Sequence, residues 1–331
     1  MSYLAGDIGG TKTHLALYQD QGGKTTCVKN QKFPSKDYPN LRTIVKKFLI
    51  GVGLEIERAC FGIAGPVEDG KSKATNLPWI IDSRLLETEL KIKKVALIND
   101  LEANAYGLKV LSEDEFFVLN EGDSNAQGNQ AMVSAGTGLG EAGIFFDGKD
   151  HFPFACEGGH TDFGPRNEIE DQLLHYLRKK FEHVSYERIL SGPGLYNLYQ
   201  FVVDTKLEDE DPKTVELINS GDSPRLVSEL GLSGDSAACA KTLQLFASIY
   251  GSEAGNAALK FFALGGIFLG GGIAPKILEV LKSSQFMDNF KAKGRFAQLL
   301  STIPVKVVLN DNTALLGSMY YARNLIETGK K

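Results

Sequence analysis

The chain has 331 residues, of which 43% are hydrophobic, and its formal net charge is −5. This length exceeds what a single hydrophobic core usually spans, so two domains are expected. The small negative charge gives no basic surface for nucleic acid or for an anionic membrane, so neither partner is expected.

The four cysteines, Cys27, Cys60, Cys156 and Cys239, form no Cys-x-x-Cys or Cys-x-His pair. This spacing argues against a metal cage and a secreted disulfide framework, and favours a reducing cytoplasm. The N-terminus has no basic region followed by an apolar core and a cleavage site, so no export signal is expected. The uncharged segment 261–274 is too short to cross a bilayer and has five glycines, which predicts a buried strand entering a glycine turn.

In the first third of the chain, β-rich runs predict strands at 3–8, 13–19, 57–65 and 94–100. The first two flank a Gly-Gly turn, which predicts a hairpin rather than a strand leading into a helix and excludes a dinucleotide-binding fold. Apolar residues spaced i, i+3, i+4 predict an amphipathic helix over 39–53, and a second helix is predicted over 101–111. Strands alternating with helices predict an α/β layer.

The remainder of the chain repeats this order. Residues 130–146 read as strand, glycine turn and strand, a short echo of the N-terminal hairpin that suggests two related α/β units. Helices are predicted over 168–181, 239–262, 275–284 and 312–327, and a strand is predicted over 304–311. The charged segment 205–225 contains Pro and Gly and predicts a surface excursion.

The segment DIGGTKT, residues 7–13, is a candidate phosphate loop. Gly9 and Gly10 allow a tight turn with positive φ, so that N–H groups can point at phosphate oxygens, and Thr11 adds a hydroxyl. Asp7 is able to hold a magnesium ion through water. Taken alone, this motif is more often an ordinary hairpin turn.

Two further glycine clusters change that balance. SAGTGLG, residues 134–140, again places Gly-Thr-Gly after a strand and can contribute to the same phosphate chain. LGGGIAPK, residues 269–276, is predicted to follow a buried strand and to precede a helix. Its glycines leave a flat backbone surface against which a purine ring can bind. Taken alone, a glycine cluster of this third kind more often serves to let a helix pack closely on a strand.

A group of short polar side chains can bind several hydroxyls of one small polyol: Asn99, Asp100, Glu157, His160 and Glu187. Each has a structural alternative, since Asn99-Asp100 can be a helix N-cap, His160 a packing histidine, and both glutamates solvated surface charges. The N-cap is compatible with function. A carboxylate that takes a proton from a hydroxyl, near loops that hold phosphates, is what phosphoryl transfer to an alcohol requires.

These residues together resemble a known family, the bacterial glucokinases of the enterobacterial type. The resemblance covers almost the whole chain, in order, through the following motifs: GDIGGTKT, FGIAGPV, TNLPW, LINDLEANAYG, SAGTGLGEA, EGGHTDFGP, SYERILSGPGL, LGGGIAPK and NDNTALLGS. It implies an ATP:D-glucose 6-phosphotransferase of glycolysis with an α/β, two-domain, actin-like (ribonuclease H-like) ATPase fold and a central cleft. The implied domains are a small one, 1–105 plus 312–331, and a large one, 106–311.

The resemblance also implies the role of each candidate residue. Asp100 resembles the catalytic base, and the glucose ligands are Asn99, Asp100, Glu157, His160 and Glu187. The implied ATP-binding residues are Gly6, Asp7, Ile8, Gly9, Gly10, Thr11, Gly136, Thr137, Gly138, Gly270, Gly271 and Gly272. Mg²⁺ accompanies ATP, with Asp7 as its ligand through water, and a cytoplasmic homodimer is implied.

One neighbouring family is disfavoured. The zinc-containing sugar kinases related to transcriptional repressors have a Cys-rich zinc motif shortly after the equivalent of His160, whereas here the next cysteine after Cys156 is Cys239. Two other classes stay open as hypotheses. One is a sugar-responsive regulator without turnover, which could lose Asp100 and still bind sugar; the other is an actin-like or chaperone ATPase, which needs no hydroxyl-recognition cluster. Secondary sugars, a donor other than ATP, the oligomeric state and allosteric control are not fixed by the sequence.

Overall fold

The computed structural model describes residues 1–74 and 76–325, and the chain divides into two compact units. Unit 1 comprises Met1–Glu113 and the segment that begins at Asn310, and unit 2 is Asp114–Leu309. Residues 326–331, which end the predicted small domain and the predicted helix over 312–327, lie outside the described part.

Unit 1 consists of a five-stranded sheet, a small three-stranded sheet and helices. Its elements are β1 (Ser2–Ile8), β2 (Lys12–Gln21), β3 (Lys24–Pro34), α1 (Leu41–Leu49), β4 (Arg58–Ile63), β5 (Val67–Glu68), β6 (Lys71–Lys73), β7 (Ile80–Asp82), α2 (Ser83–Leu90), β8 (Lys94–Asn99), α3 (Asp100–Gly107) and, from the end of the chain, α12 (Thr313–Asn324). The larger sheet has the order β3-β2-β1-β4-β8, in which β1 and β2 are antiparallel and β1, β4 and β8 are parallel.

Both faces of this sheet are buried. Leu4, Phe61 and Leu97 belong to one hydrophobic cluster with the apolar residues of α1, and Tyr3 and Cys60 belong to a cluster on the other face. The second cluster contains Leu315 and Met319 of α12, which confirms that the closing helix packs on the N-terminal layer. Alternating residues of one strand therefore supply two cores.

Unit 2 is built on a six-stranded sheet of order β12-β11-β10-β13-β14-β9. Its elements are β9 (Phe116–Asn120), β10 (Gln130–Ala135), β11 (Leu139–Phe146), β12 (His151–Cys156), α4 (Glu168–Arg178), α5 (Gly192–Asp204), α6 (Pro212–Ser220), α7 (Ser223–Ser233), α8 (Ala237–Lys260), β13 (Gly266–Gly270), α9 (Leu278–Leu281), α10 (Ser284–Lys291), α11 (Ala297–Ser301) and β14 (Val305–Val308). The helix α8 lies in the core, where the Tyr250 hydroxyl donates to the Val133 carbonyl oxygen at 2.8 Å.

The two strand–glycine–strand hairpins and the predicted strands outside 261–274 are confirmed, but three other predictions need correction. The helix over 275–284 is wrong: residues 271–277 form turns, followed by the single-turn helix α9 and then α10. A hydrogen bond from Ile273 N to the Ala135 carbonyl oxygen, 3.2 Å, holds the turns against β10. Tertiary contact therefore overrides the helical spacing.

The other two corrections concern β13 and the surface segment. The predicted strand within 261–274 is shorter than expected, because 261–265 still belong to the end of α8 and the turns after it. The excursion 205–225 contains α6, whose Pro212 occupies a first-turn position and whose Ile218 is fully buried. In addition, the structure contains a strand that was not predicted, β3. Its residues are mostly exposed and polar, and it forms by pairing along β2.

Candidate active site

In unit 1, the first glycine loop and the Asn99-Asp100 pair lie at one edge of the sheet. Parallel register aligns Ile8 of β1 with Ile63 of β4, and Ile63 with Asn99 of β8. The segments that follow these strands therefore leave the sheet at the same edge, where α/β proteins commonly bind ligands. Two of the predicted site segments, far apart in sequence, therefore lie at one edge of the sheet, separated by the end of β4.

Asn99 is the N-cap of α3. Its side-chain oxygen accepts from Leu101 N at 2.8 Å, its amide donates to the Gly65 carbonyl oxygen at 3.2 Å, and Glu102 completes a capping box by accepting from Asn99 N at 3.0 Å. Asn99 therefore acts as the helix N-cap, as the structural alternative predicted. The same contacts fix the start of the helix on which Asp100 lies.

Asp100 is half-buried and is the first residue of α3. One of its carboxylate oxygens accepts from Leu101 N at 3.0 Å. The partial positive charge at a helix N-terminus stabilises an ionised carboxylate. This environment suits a group that must be negatively charged to accept a proton.

The helix α3 is held close to α12 and β4 by small residues. A Cβ atom at Gly317 would collide with the Ala103 carbonyl oxygen, and one at Gly62 would lie 2.8 Å from the Ala103 Cβ. The Ser318 hydroxyl donates to the Gly6 carbonyl oxygen at 3.0 Å, which ties α12 to β1. The position of Asp100 therefore depends on close packing of these elements.

Ser35, which was not among the predicted site residues, holds the loop Gly9–Thr11 in place. The fully buried Ser35 donates from its hydroxyl to the Gly9 carbonyl oxygen at 2.8 Å and from its N–H to the Thr11 carbonyl oxygen at 3.0 Å. The prediction of positive φ at Gly9 and Gly10 is wrong. The turn is closed instead by a hydrogen bond from Gly9 N to the Lys12 carbonyl oxygen at 2.9 Å.

Asp7 lies at the end of β1 and is half-buried. Burial raises the pKa of its carboxyl group to about 6, an effect partly offset by Lys32. A desolvated carboxylate at the edge of a glycine loop is a suitable hard oxygen ligand for a magnesium ion or its bound water. The residues present therefore fit the expected metal. Among the described residues, no group of three or more His, Cys, Asp or Glu side chains is arranged to hold a metal ion.

In unit 2, the second glycine loop contacts Glu187. A Cβ atom at Gly138 would collide with a Glu187 carboxylate oxygen, and the same oxygen accepts from Leu139 N at 3.0 Å. Gly138 is therefore required for close approach. One side chain from the predicted sugar-binding set thus fixes the conformation of a predicted phosphate loop.

The third glycine cluster lies beside the second. Register pairs Ser134 of β10 with Gly270 of the parallel strand β13, so the segments after both strands leave the sheet at one edge. Gly271 has φ of +79°, and a Cβ atom there would collide with the Ala135 carbonyl oxygen. Both facts make glycine necessary at this position.

The segment Glu157–His160 forms a turn that packs on the same part of unit 2. His160 N donates to the Glu157 carbonyl oxygen at 3.0 Å, and a Cβ atom at Gly159 would collide with the Leu139 carbonyl oxygen. The turn also contacts the 3-10 turn that contains Glu187. The side chains of Glu157 and His160 are exposed, which excludes His160 as a buried packing residue and leaves both accessible to a ligand.

The structure therefore brings the predicted residues together within each unit. Unit 1 holds the first loop and Asn99-Asp100, and unit 2 holds the other two glycine clusters with Glu157, His160 and Glu187. Unit 1 also contains an open pocket of about 650 Å³, and none of the residues that line it was predicted as a site residue: Pro66, Lys73, Ala74, Asn76, Leu77 and Pro78. Three of these residues belong to the TNLPW motif, and that motif could have indicated the pocket from the sequence.

Comparison with known proteins gives the family. The family model described as Glucokinase matches residues 4–325. Over 97% of this chain and 99% of its own length, a glucokinase from Trichormus variabilis is 40% identical. A crystal structure of glucokinase from an Antarctic psychrotroph is 30% identical, with a TM-score of 0.84 over 98% of this chain and 99% of that chain. A ROK family glucokinase from Streptomyces griseus, solved in complex with glucose and AMPPNP, is 19% identical, with a TM-score of 0.66 over 98% and 99% of the two chains.

The mixed α/β fold is that of the sugar kinases, the class to which these structural neighbours belong. Within that class, the chain belongs to the glucokinase family and is an enzyme. No helix in the described part of the chain is long and apolar enough to cross a membrane.

Proposed function

We propose that this enzyme transfers the γ-phosphoryl group of ATP to the 6-hydroxyl of D-glucose, the first step of glycolysis. The observation that supports this best is Asp100. It lies at the N-terminus of α3, where the partial positive charge of the helix favours a negatively charged side chain, at the same sheet edge as the glycine loop of unit 1. Asp100 accepts the proton of the 6-hydroxyl as that oxygen attacks the γ-phosphorus in line, and the bond from the γ-phosphorus to the bridging oxygen breaks to release ADP.

Glucose is bound by Asn99, Asp100, Glu157, His160 and Glu187. The exposure of Glu157 and His160 and the half-burial of the other three support this role, because each side chain is accessible while its backbone is held by neighbouring elements. Carboxylates and an amide bind sugar hydroxyls through charge-assisted and neutral hydrogen bonds, and their fixed directions orient one hydroxyl for reaction.

The nucleotide is bound by the three glycine segments, at Gly6–Thr11, Gly136–Gly138 and Gly270–Gly272. Their backbone N–H groups and threonine hydroxyls donate to the phosphates, and the third segment lies on the adenosine side. Asp7 would hold the magnesium ion through water, and the ion would supply positive charge that stabilises the phosphates of bound ATP. The actin-like ATPase fold, with its central cleft and its small and large domains, belongs to this proposal.

Two further properties are proposed on the same resemblance. The enzyme is a homodimer, which sedimentation velocity at micromolar concentration tests directly. It works in the cytoplasm, and the free state of all four cysteines is compatible with a reducing compartment.

A coupled assay of ADP release tests the proposed activity. We expect release that depends on both ATP and glucose, with glucose 6-phosphate as the product, and a weaker response to mannose, glucosamine or fructose. Glucose binding without ADP release would support a regulator, and ADP release without sugar would support an ATPase of another kind. Either result would overturn the proposal.

A further inference from the structure

Glu141 is a buried carboxyl group that the proposed reaction does not use. It lies on β11, is 1% exposed, and neither of its carboxyl oxygens has a hydrogen-bond partner among the described residues. An ionised carboxylate without hydrogen bonds is very costly to bury, and such a group takes up a proton instead.

The side chain of Glu141 lies directly beneath the Glu157–His160 turn. A Cβ atom at Gly158 would collide with Oε2 of Glu141, and Gly158 does not have a positive φ. Glycine is therefore needed at 158 to leave room for the carboxyl group rather than to allow unusual backbone. Cys156, which precedes the turn, also donates from its thiol to the Glu141 carbonyl oxygen at 3.4 Å.

The charges around Glu141 are predominantly negative. Glu253 of α8 is fully buried, pairs with Lys260 at 3.0 Å and accepts from the Asn256 amide at 2.8 Å. Burial and then the nearby Glu253 raise the pKa of Glu141 to about 8, and Lys260 only partly offsets them. The titratable or charged groups that face Glu141 from the elements around it are Glu253, Lys260 and Tyr250 of α8 and Cys156 of β12, and Glu157 of the turn acts on Cys156.

We propose that Glu141 is a positioning residue: as a neutral carboxylic acid it supports Gly158 and so holds Glu157 and His160 in the arrangement that binds sugar. Loss of its proton places a second negative charge beside Glu253 with no hydrogen bonds to stabilise it, and the turn must then shift. This inference rests on the proposed function, because it assigns sugar binding to the turn.

The pH dependence of the KM for glucose tests the inference first. From pH 7 to pH 9 we expect the wild-type KM to rise by several-fold. Loss of a single proton can raise the KM by at most about tenfold for each pH unit above 8. Glu141→Gln cannot ionise, so its KM should rise much less, and its kcat at pH 7 should stay within about twofold of wild type because it does not touch the reacting atoms. Glu216→Gln, at an exposed residue of α6, is the control and should follow the wild-type profile. Parallel profiles for wild type and Glu141→Gln would overturn the inference.

A double-mutant cycle tests the contact without reference to pH. Gly158→Ala should raise the KM for glucose about tenfold, the scale expected for neighbouring packed groups, because its methyl group meets Glu141. Glu141→Ala alone should also raise the KM, because the turn loses its support. In the double variant the methyl group at position 158 occupies part of the space left by the carboxyl group, so the KM should rise by less than the product of the two single effects. Additive losses in the double variant would contradict the proposed support of the turn.

Failure of the proposed function can be distinguished from failure of this inference. If the wild type does not bind glucose at pH 7 by calorimetry, the proposed function fails, and the sugar-positioning role fails with it. The protonation of Glu141 is then judged by the amide resonances of Gly158 and Gly159 without sugar. If these resonances titrate near pH 8 in the wild type but not in Glu141→Gln, a neutral acid beneath the turn is supported. If they do not titrate in the wild type, the protonation of Glu141 is overturned as well.

Discussion

At the scale of single residues, the site depends on carboxylates whose surroundings differ. Asp100 is at a helix N-terminus that favours its charge, whereas burial next to another acid raises the pKa of Glu141 and favours its neutral form. The same chemical group can thus act as a base in one place and as a neutral support in another.

Asp100→Asn should reduce kcat by roughly 10² to 10⁴, which is typical for loss of a general base. Glucose affinity should stay within about tenfold, because the amide can still form a hydrogen bond to a hydroxyl. Steady-state kinetics and calorimetric titration measure the two effects separately. More than about a tenth of wild-type turnover in this variant would remove Asp100 as the base.

Glu187→Gln should weaken glucose binding by roughly 1 to 3 kcal/mol, the value for a hydrogen bond to a charged group. The amide oxygen can still accept from Leu139 N, so the adjacent loop keeps its conformation. ATP affinity without sugar should therefore change less than glucose affinity, as calorimetry of both ligands would show. Unaltered glucose affinity would exclude Glu187 from the sugar site.

At the scale of elements, close packing of α12 on α3 determines where Asp100 lies. Gly317→Ala places a methyl group against the Ala103 carbonyl oxygen, and we expect a net loss of about 1 to 3 kcal/mol in stability, despite the better helix propensity of Ala. Turnover should fall as well, because α3 moves. Urea denaturation and kinetics measure the two effects.

Gly53→Ala is the matched control for Gly317→Ala. A Cβ atom at Gly53 meets no atom within 4 Å, and its φ is not positive. We expect its stability to change by less than about 0.5 kcal/mol, as for most surface substitutions. Equal losses of stability in the two variants would contradict the explanation that Gly317 is needed for the contact between α12 and α3.

At the scale of the whole molecule, the buried acid should make stability depend on pH. The pKa of Glu141 is raised in the folded state from 4.5 to about 8, so the folded protein binds more protons between these values and its stability falls as the pH rises. The contribution of this single proton is at most about 1.4 kcal/mol per pH unit. Glu141→Gln should flatten the decline of the melting temperature between pH 5 and pH 8, and an identical decline in both proteins would refute this.

The whole enzyme should require Mg²⁺ or Mn²⁺ but not zinc. Asp7 and the ATP phosphates offer hard oxygen ligands, which suit these ions better than zinc. Turnover and melting temperature after zinc-selective chelation, with magnesium restored, should match those of the untreated protein. Recovery of a lost activity by zinc alone would contradict this expectation.

The sequence by itself determined the features that are encoded locally. The hairpin around Gly9-Gly10, its echo at 134–140 and the helix that begins at Asp100 all follow from residues within a few positions of one another, because turn and cap preferences are short-range. The family resemblance depends on these same motifs.

Only the tertiary structure decided the features that depend on pairing and burial. The polar strand β3 forms because β2 lies beside it, and the turns at 271–277 replace a helix because they pack on Ala135. Nothing in the sequence around Glu141 indicates that its carboxyl group is buried against Gly158, since that contact depends on the pairing of β11 with β12 and on the turn that follows. Burial depends on residues distant in sequence, and burial is what gives this carboxyl group its chemistry.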